Sequence, residues 1–393
     1  MRVVRLLPFE YAVRNLGRSR ARLILSVVGS ALVVLLVLGA AAFVRGMDQS
    51  LRATGEPNNV IILGAGSEES IERSEVNSSV AGIVSASIQG VRSLLGESYV
   101  SPEVHVQLPV KVRADQPKGP LVLVRGVTPA ACLVHPAVQI VEGRLPLPGN
   151  DEVMVGQMVA TKMGVPEADL MVGRSLLIDR RSFAIVGRFV APGTVMEAEV
   201  WMPLADSREL TKRVTDSCVS MTLDPTKAEF ADVAAFVRTR VDLELAATPE
   251  TAYYAKLSSF FAPIRFVTWA TAILVGLGGL FGGLNLMYAA FASRVRELAT
   301  LQTVGFRRLA IVLGLVQESA LATSIGALLA SAAAVLWLDG VAVRFSMGAF
   351  GLRVDAPVVL IGFCAGCALG LLGSLPPAWR CLRLTIPVAL KAI

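Results

Sequence analysis

Residues able to do chemistry are sparse in this chain, and their types and spacing limit what it can be. His105 and His135 are the two histidines; they sit in strand-like and loop surroundings without Cys or carboxylate partners at ligand spacing, so no metal centre is expected. Cys364 and Cys367 form a C-x-x-C inside an apolar helical run, where small packing residues are the simpler reading than a redox pair. Cys132 and Cys218 can bridge in an oxidising compartment, but with Cys381 the five cysteines make no disulfide framework. No Gly-x-x-x-x-Gly-Lys-Ser/Thr loop is present to cradle nucleotide phosphates. What remains is electrostatic. Arg294, Arg296, Glu297, Arg307 and Arg308 flank the apolar Leu301, Val304 and Phe306, with Gly305 as a breaker. That is a short cationic helix with its own stop, suited to docking. Ten residues past Arg308 stands Glu318, alone in an uncharged run. An acid at membrane depth is costly, so an arginine or backbone partner is expected, with proton relay or substrate contact as the alternative.

The elements that must carry these residues follow from hydropathy. Of 393 residues 54% are hydrophobic, and the mean hydropathy is +0.61, which points to an integral membrane protein. Four windows account for it: 23–44, 266–293, 309–338 (uncharged save Glu318) and 356–379. Each is long enough to cross a bilayer. The first exceeds a signal-peptide core, so its retention is expected. The net charge of +6 is no nucleic-acid signature. The excess lies in the basic start (Arg2, Arg5, Arg14, Arg18, Arg20 and Arg22 against Glu10), in the 294–308 elbow, and in a tail with Arg380, Arg383 and Lys391. Such segments stay in the cytoplasm, which puts both termini and the elbow inside and 45–265 outside. The start alternates arginines with apolar residues, as an interfacial amphipathic helix or a plain juxtamembrane flank does.

The outer block has globular composition. Strands are expected at 60–63 and 104–112, the latter alternating strictly and placed at an edge by Pro109. A helical stripe is expected from Val80 to Leu95. Short strands at 121–125, 152–155, 175–178, 183–189 and 200–202, with a helix at 157–163, suggest a β-rich insertion. A strand at 219–223, a helix at 227–240 and a segment at 251–261 return the chain to the membrane. Gly278 with Gly282, Gly279 with Gly283, and the ladder Gly362, Gly366, Gly370 are small-x-x-x-small patterns that let helix backbones approach. They suit intrachain packing or a homodimer seam.

The elbow, Arg296-Glu297-Leu298-Ala299-Thr300-Leu301-Gln302-Thr303-Val304-Gly305-Phe306 with Glu318 downstream, resembles the MacB/FtsX-type permease family of ABC transporters. So do Ala12-Val13-Arg14-Asn15-Leu16-Gly17-Arg18-Ser19-Arg20 at the entry to the first span and Pro377-Ala378-Trp379-Arg380 through Pro387-Val388-Ala389-Leu390 at the end. Glu142-Gly143-Arg144, Val172-Gly173-Arg174, Phe183–Gly187 and Trp201-Met202-Pro203-Leu204 look like that family's periplasmic core. Gln302 and Thr303 depart from the commoner Arg and Ala. The resemblance implies an α-helical integral membrane protein with four transmembrane helices and a large α+β extracytoplasmic domain between the first two. It divides the chain into an amphipathic start (1–22), a first span (23–44), the external domain (45–263, with its β-rich insertion at about 121–204) and a second span (264–293). A coupling helix (294–310), third span (311–338), external loop (339–355), fourth span (356–379) and cytoplasmic tail (380–393) complete it. It further implies a bacterial inner-membrane location and a homodimer bound to a cytosolic ABC ATPase dimer that carries ATP-Mg, this chain holding no cofactor and being no enzyme. A periplasmic membrane-fusion adaptor and an outer-membrane channel are further partners it allows. The expected role is MacB-like transmission of ATP-driven motion for export; FtsX-like control of an external cell-wall hydrolase and lipoprotein extraction of the LolC/LolE kind are the alternatives.

Overall fold

The structure, a computed structural model, describes residues 7, 9–113, 115, 119–345, 348–383 and 385–390; Arg2, Arg5 and Lys391 of the basic segments lie outside these. The chain divides into two compact units, Met1–Arg45 with Pro263–Val341 and Leu352–Ile393, and Gly46–Ala262 with Ala342–Gly351.

The helical unit is built from α1 (Phe9–Arg18), α2 (Arg20–Thr54), α3 (Ala262–Ala292), α4 (Val295–Thr303), α5 (Arg308–Trp337), α6 (Ala356–Cys381) and α7 (Ile386–Leu390). Helices α2, α3, α5 and α6 are long and apolar enough to cross a membrane. At 1.5 Å per residue α2 is about 52 Å long, well beyond a hydrocarbon core of about 30 Å, so it outruns the apolar window at 23–44. The ladder on α6 packs within the chain. A side chain at Gly362 would collide with Leu38, at Gly366 with Ala327, and at Gly370 with Thr323 and Ala320. Gly279 meets Val33 in the same way, whereas Gly278, Gly282 and Gly283 face open space.

The second unit is organised on a ten-stranded sheet. Its strands are β1 (Asn59–Gly64), β2 (Val100–Lys111), β3 (Leu121–Val127), β4 (Gln139–Gly143), β5 (Glu152–Gly156), β6 (Ser175–Ile178), β7 (Arg181–Val190), β8 (Val200–Pro203), β9 (Cys218–Thr222) and β10 (Leu245–Pro249). The order is β10-β1-β9-β2-β3-β8-β5-β7-β4, and β6 pairs with both β7 and β2. That double pairing closes β2, β3, β8, β5, β7 and β6 into a ring, filled by Val122, Val153, Leu176, Phe183, Ile185 and Met202 among others. Each such side chain contributes roughly 1.5–3 kcal/mol on burial. The other arm, β10-β1-β9 and the start of β2, is antiparallel throughout. The helices Val80–Ser87 and Phe230–Thr239 bury Val80, Val84, Val233 and Val237 in the core with it.

Two expectations need correction, and the pairing left open for Cys132 and Cys218 is answered. The helical stripe from Val80 stops at Ser87; Gly90 follows at φ +100, where a side chain would strike Ala228, and Ser93–Leu94 pairs with Glu97–Ser98 as a tight hairpin. Leu95 is consequently 98% exposed. Pro109 marks no edge: β2 lies inside the strand order. Val110 N–H donates to Pro120 O, so at the adjacent Pro109 the missing N–H would have pointed away from β3 and costs no bond to that strand. Cys132 and Cys218 are free thiols and form no bridge. The segment between α5 and α6 carries a short hairpin, Ala342–Arg344 with Ala349–Gly351, that belongs to the sheet unit. There Lys162 Nζ donates to Phe345 O at 2.7 Å and the Phe345 ring packs on Phe261 and Phe350.

Candidate functional site

In the helical unit the most buried charged groups gather about Glu318. Helix α1 presents Tyr11, Ala12 and Asn15 inward, and Leu7 and Tyr11 join a core with Phe291, Leu298, Ile311 and Leu315. The helix breaks at Ser19 and α2 restarts at once, with Leu23 N–H donating to Ser19 O. That break brings Asn15 and Arg22 onto the same acceptor. Asn15 Nδ2 donates to Glu318 Oε2 at 2.7 Å and Arg22 Nη2 to Glu318 Oε1 at 2.5 Å. From the other side Arg294, at the start of α4, donates from Nη1 to both Glu318 oxygens at 3.1 and 3.3 Å. Its Nε donates to Glu297 Oε2 at 3.2 Å, and Arg18 Nη1 to Glu297 Oε1 at 3.0 Å.

The result is a chain of five charged side chains, Arg18–Glu297–Arg294–Glu318–Arg22, running from exposed to buried. Side-chain exposure falls from 71% at Arg18 and 42% at Glu297 to 10% at Arg294 and 6% at Glu318. The outer pair is worth at most about 1 kcal/mol. The inner one is different, because removing the acid would leave two arginines out of water, a loss of about 3–5 kcal/mol. Helices α1, α2, α4 and α5 are thereby tied to one carboxylate.

The elbow itself is a fixed turn. Gly305 takes φ +104, its N–H donates to Gln302 O, and Phe306 N–H donates to Leu301 O, both at 3.1 Å. That is a Schellman cap, whose left-handed position favours glycine. Leu301 and Phe306 pack back on the helical core, and α7 lies against α4 through Ala389, Val295 and Ala299. Exposed on the turn are Arg296, Thr303, Val304, Arg307 and Arg308. The residues singled out from sequence therefore separate. Arg294, Glu297 and Glu318 face one another; Leu301 and Phe306 are half-buried; Arg296, Val304, Arg307 and Arg308 are offered outward. Sequence reasoning missed Asn15, Arg18 and Arg22. A usable signal was present in Asn15, a polar residue on the apolar side of α1.

In the sheet unit the two histidines lie together at a buried carboxylate, Glu103. Glu103, His105 and Cys218 are close enough to surround a cation, but Arg125 Nη1 already donates to Glu103 Oε2 at 2.9 Å. The positive charge there is the chain's own.

The sequence matches two family models, a MacB-like periplasmic core domain over residues 23–245 and an FtsX-like permease C-terminal domain over residues 269–386. No curated protein matches it. Among solved structures it is similar to the periplasmic region of MacB from Actinobacillus actinomycetemcomitans, at 11% identity and TM-score 0.40, covering 53% of this chain and 96% of that one. It is also similar to the extracellular domain of the noncanonic ABC-type transporter YknZ from Gram-positive bacteria, at 12% identity and TM-score 0.36, covering 49% of this chain and all of that one. The two family models take up most of the chain in the order helix, sheet unit, helices, and four of its helices are of membrane-crossing length and composition. The chain is a multi-pass membrane protein that belongs to the MacB/FtsX-type permeases of ABC transporters.

Proposed function

We propose that this permease passes ATP-driven motion from a cytosolic ABC ATPase dimer, which binds ATP-Mg, to its sheet unit on the far side of the membrane, and so powers export. The single observation that carries this reading is the Glu318 node, which ties the elbow helix α4 to α1, α2 and α5. A partner closing on the exposed Arg296, Val304, Arg307 and Arg308 would pull on all of them together. In this reading both termini and the elbow are cytoplasmic, in line with their arginines. Two copies pair across the membrane, with Gly278, Gly282 and Gly283, open in the single chain, as the close-approach residues. A membrane-fusion adaptor and an outer-membrane channel complete the path where the envelope has them.

The test is reconstitution with the ATPase in nanodiscs. Arg307→Glu with Arg308→Glu should abolish transport and lower substrate-stimulated hydrolysis at least tenfold, a loss of about 1.4 kcal/mol of coupling. Unchanged stimulation with both charges reversed would refute the docking role.

One observation favours a second reading, extraction of a lipid-anchored cargo. A cavity of about 330 Å³ opens between α2, α3, α5 and α6, lined by Ser26, Gly29, Gly279, Gly282, Gly283 and Thr323 among others. Its volume is at the lower end of small-ligand sites. Gly29→Leu, outside the proposed pairing seam, should fill it, and would block lipoprotein release while sparing export of a soluble cargo.

A further inference from the structure

A second buried charge cluster lies wholly within the sheet unit and has no part in the coupling proposed above. Strand β2 changes partner at Glu103. Glu103 is still paired to Cys218 of β9, whereas Val104 pairs with Gly126 of β3. The antiparallel arm and the closed ring thus meet at this residue, whose carboxylate is fully buried. It accepts from Arg125 Nη1 of β3 at 2.9 Å, His105 Nε2 at 3.0 Å and His135 Nε2 at 2.8 Å. Arg125 in turn gives Nε and Nη2 to Glu199, both at 2.7 Å.

His135 directly follows the helix Ala131–Val134 of the ring and is 1% exposed. Its Nδ1 has no hydrogen-bond partner among the described residues and lies 3.8 Å from Glu250 Oε1. Glu250 opens the helix Glu250–Phe260 after β10 of the arm, and its other oxygen accepts from Asn59 Nδ2 and Glu56 N–H. The charged groups facing the ring are therefore Glu103 from β2, Glu250 from that helix and Arg125 from β3, with His105 and Glu199 behind them and the Trp201 ring of β8 packed edge-on. Arg125 pairs with Glu103 and Glu199 and not with Glu250, which leaves negative charge buried without a counter-ion unless the imidazole is charged.

We propose that His135 is a proton-operated latch between the two arms of this unit: charged, it holds Glu103 and Glu250 together; neutral, it keeps Glu103 and lets Glu250 go. A neutral ring that still donates from Nε2 to Glu103 turns a lone pair on Nδ1 toward Glu250 Oε1. Burial alone would lower the affinity of His135 for its proton, but Glu103 and Glu250 outweigh it and the net displacement is upward from 6.5. Burial and Arg125 push His105 the other way and keep it neutral. Burial raises Glu250, so its ionised form depends on a nearby cation. The sign follows from linkage. His135 binds its proton more tightly folded than unfolded, so its contribution is complete below pH 6.5 and disappears as pH rises through its folded value. His105 acts oppositely and loses its contribution as pH falls below 6.5.

With two histidines in the chain, the full-length protein labelled with ring-15N histidine in nanodiscs gives two sets of imidazole signals, and His105→Gln identifies the set that remains. His135 should be charged at pH 6.5 and titrate above it. A ring already neutral at pH 6.5, or a midpoint below it, overturns the latch. Hydrogen exchange, corrected for intrinsic rates, supplies the mechanical half. Protection around residues 100–106 and 125–138 should fall about tenfold between pH 6.5 and about pH 8.5 in the parent, and not in His135→Gln. Glu250→Gln, whose amide can donate to Nδ1, should keep its protection at the higher pH. The same pH response in the parent and in either variant overturns the proposal, so a failure of one variant to fold leaves the other decisive.

Discussion

Glu318 and Glu103 are both acids withdrawn from water, 4% and 0% exposed, and each accepts from three side chains. Their donors differ in kind. Glu318, within the helices, is held by Arg22, Arg294 and the amide of Asn15, none of which changes charge at any pH a cell meets. Glu103, in the sheet unit, is held by Arg125 and by two imidazoles. The first cluster has more arginines than acids, the second more acids than arginines. A tie that must carry force in every condition is built from permanent charges, and a joint that can answer its surroundings includes a group titrating near neutrality.

Breaking the first tie should have the largest effect. Glu318→Gln leaves Arg22 without a counter-charge and Arg294 with Glu297 alone, and about 3–5 kcal/mol of resistance to unfolding should go. Thermal unfolding in nanodiscs at pH 6 and pH 9, taken as rough limits of the neutral range, should give the same deficit. A deficit at one pH alone would erase the distinction drawn here. Next comes Glu103→Gln, at about 3 kcal/mol. Its deficit should be greater at the lower pH, where a charged His135 loses one of its two acids, Arg125 keeping Glu199 at either pH. Gly305→Ala should cost about 1–3 kcal/mol through the backbone. The expected signature is faster amide exchange in α4 with the Glu318 pairs intact, which separates the turn from the node. Smallest is Arg18→Ala, under about 1 kcal/mol and further reduced by added salt. A larger value would mean that the exposed end of the node carries weight its exposure does not predict.

Much of this was readable before any coordinates. Uncharged windows of membrane length, the elbow's arginines and the glycine that stops it are local signals, and short apolar runs set off by Gly and Pro suffice for β3, β5, β6, β7 and β8. That Glu318 needs a cation follows from its cost in lipid; which cations it finds does not. Arg22 and Arg294 stand 296 and 24 residues away, and only the break at Ser19 and the turn before α4 bring them together. Nor could the ring be foreseen, since it depends on β6 pairing with both β7 and β2, a closure without a sequence marker. The helix Leu204–Thr211 went unread because its sequence, mixed and polar, has no apolar face. Glu103 falls just before the strand expected at 104–112, and its burial comes from the change of partner, which pattern alone does not reveal.

The left-handed backbone at Gly305 has a consequence for how the elbow can be altered. No atom lies within 4 Å of where a side chain would project, so bulk is not what the position rejects. It rejects chirality. Semisynthesis placing D-alanine at 305 should preserve the bend, while natural L-alanine, with the same number of atoms, should not.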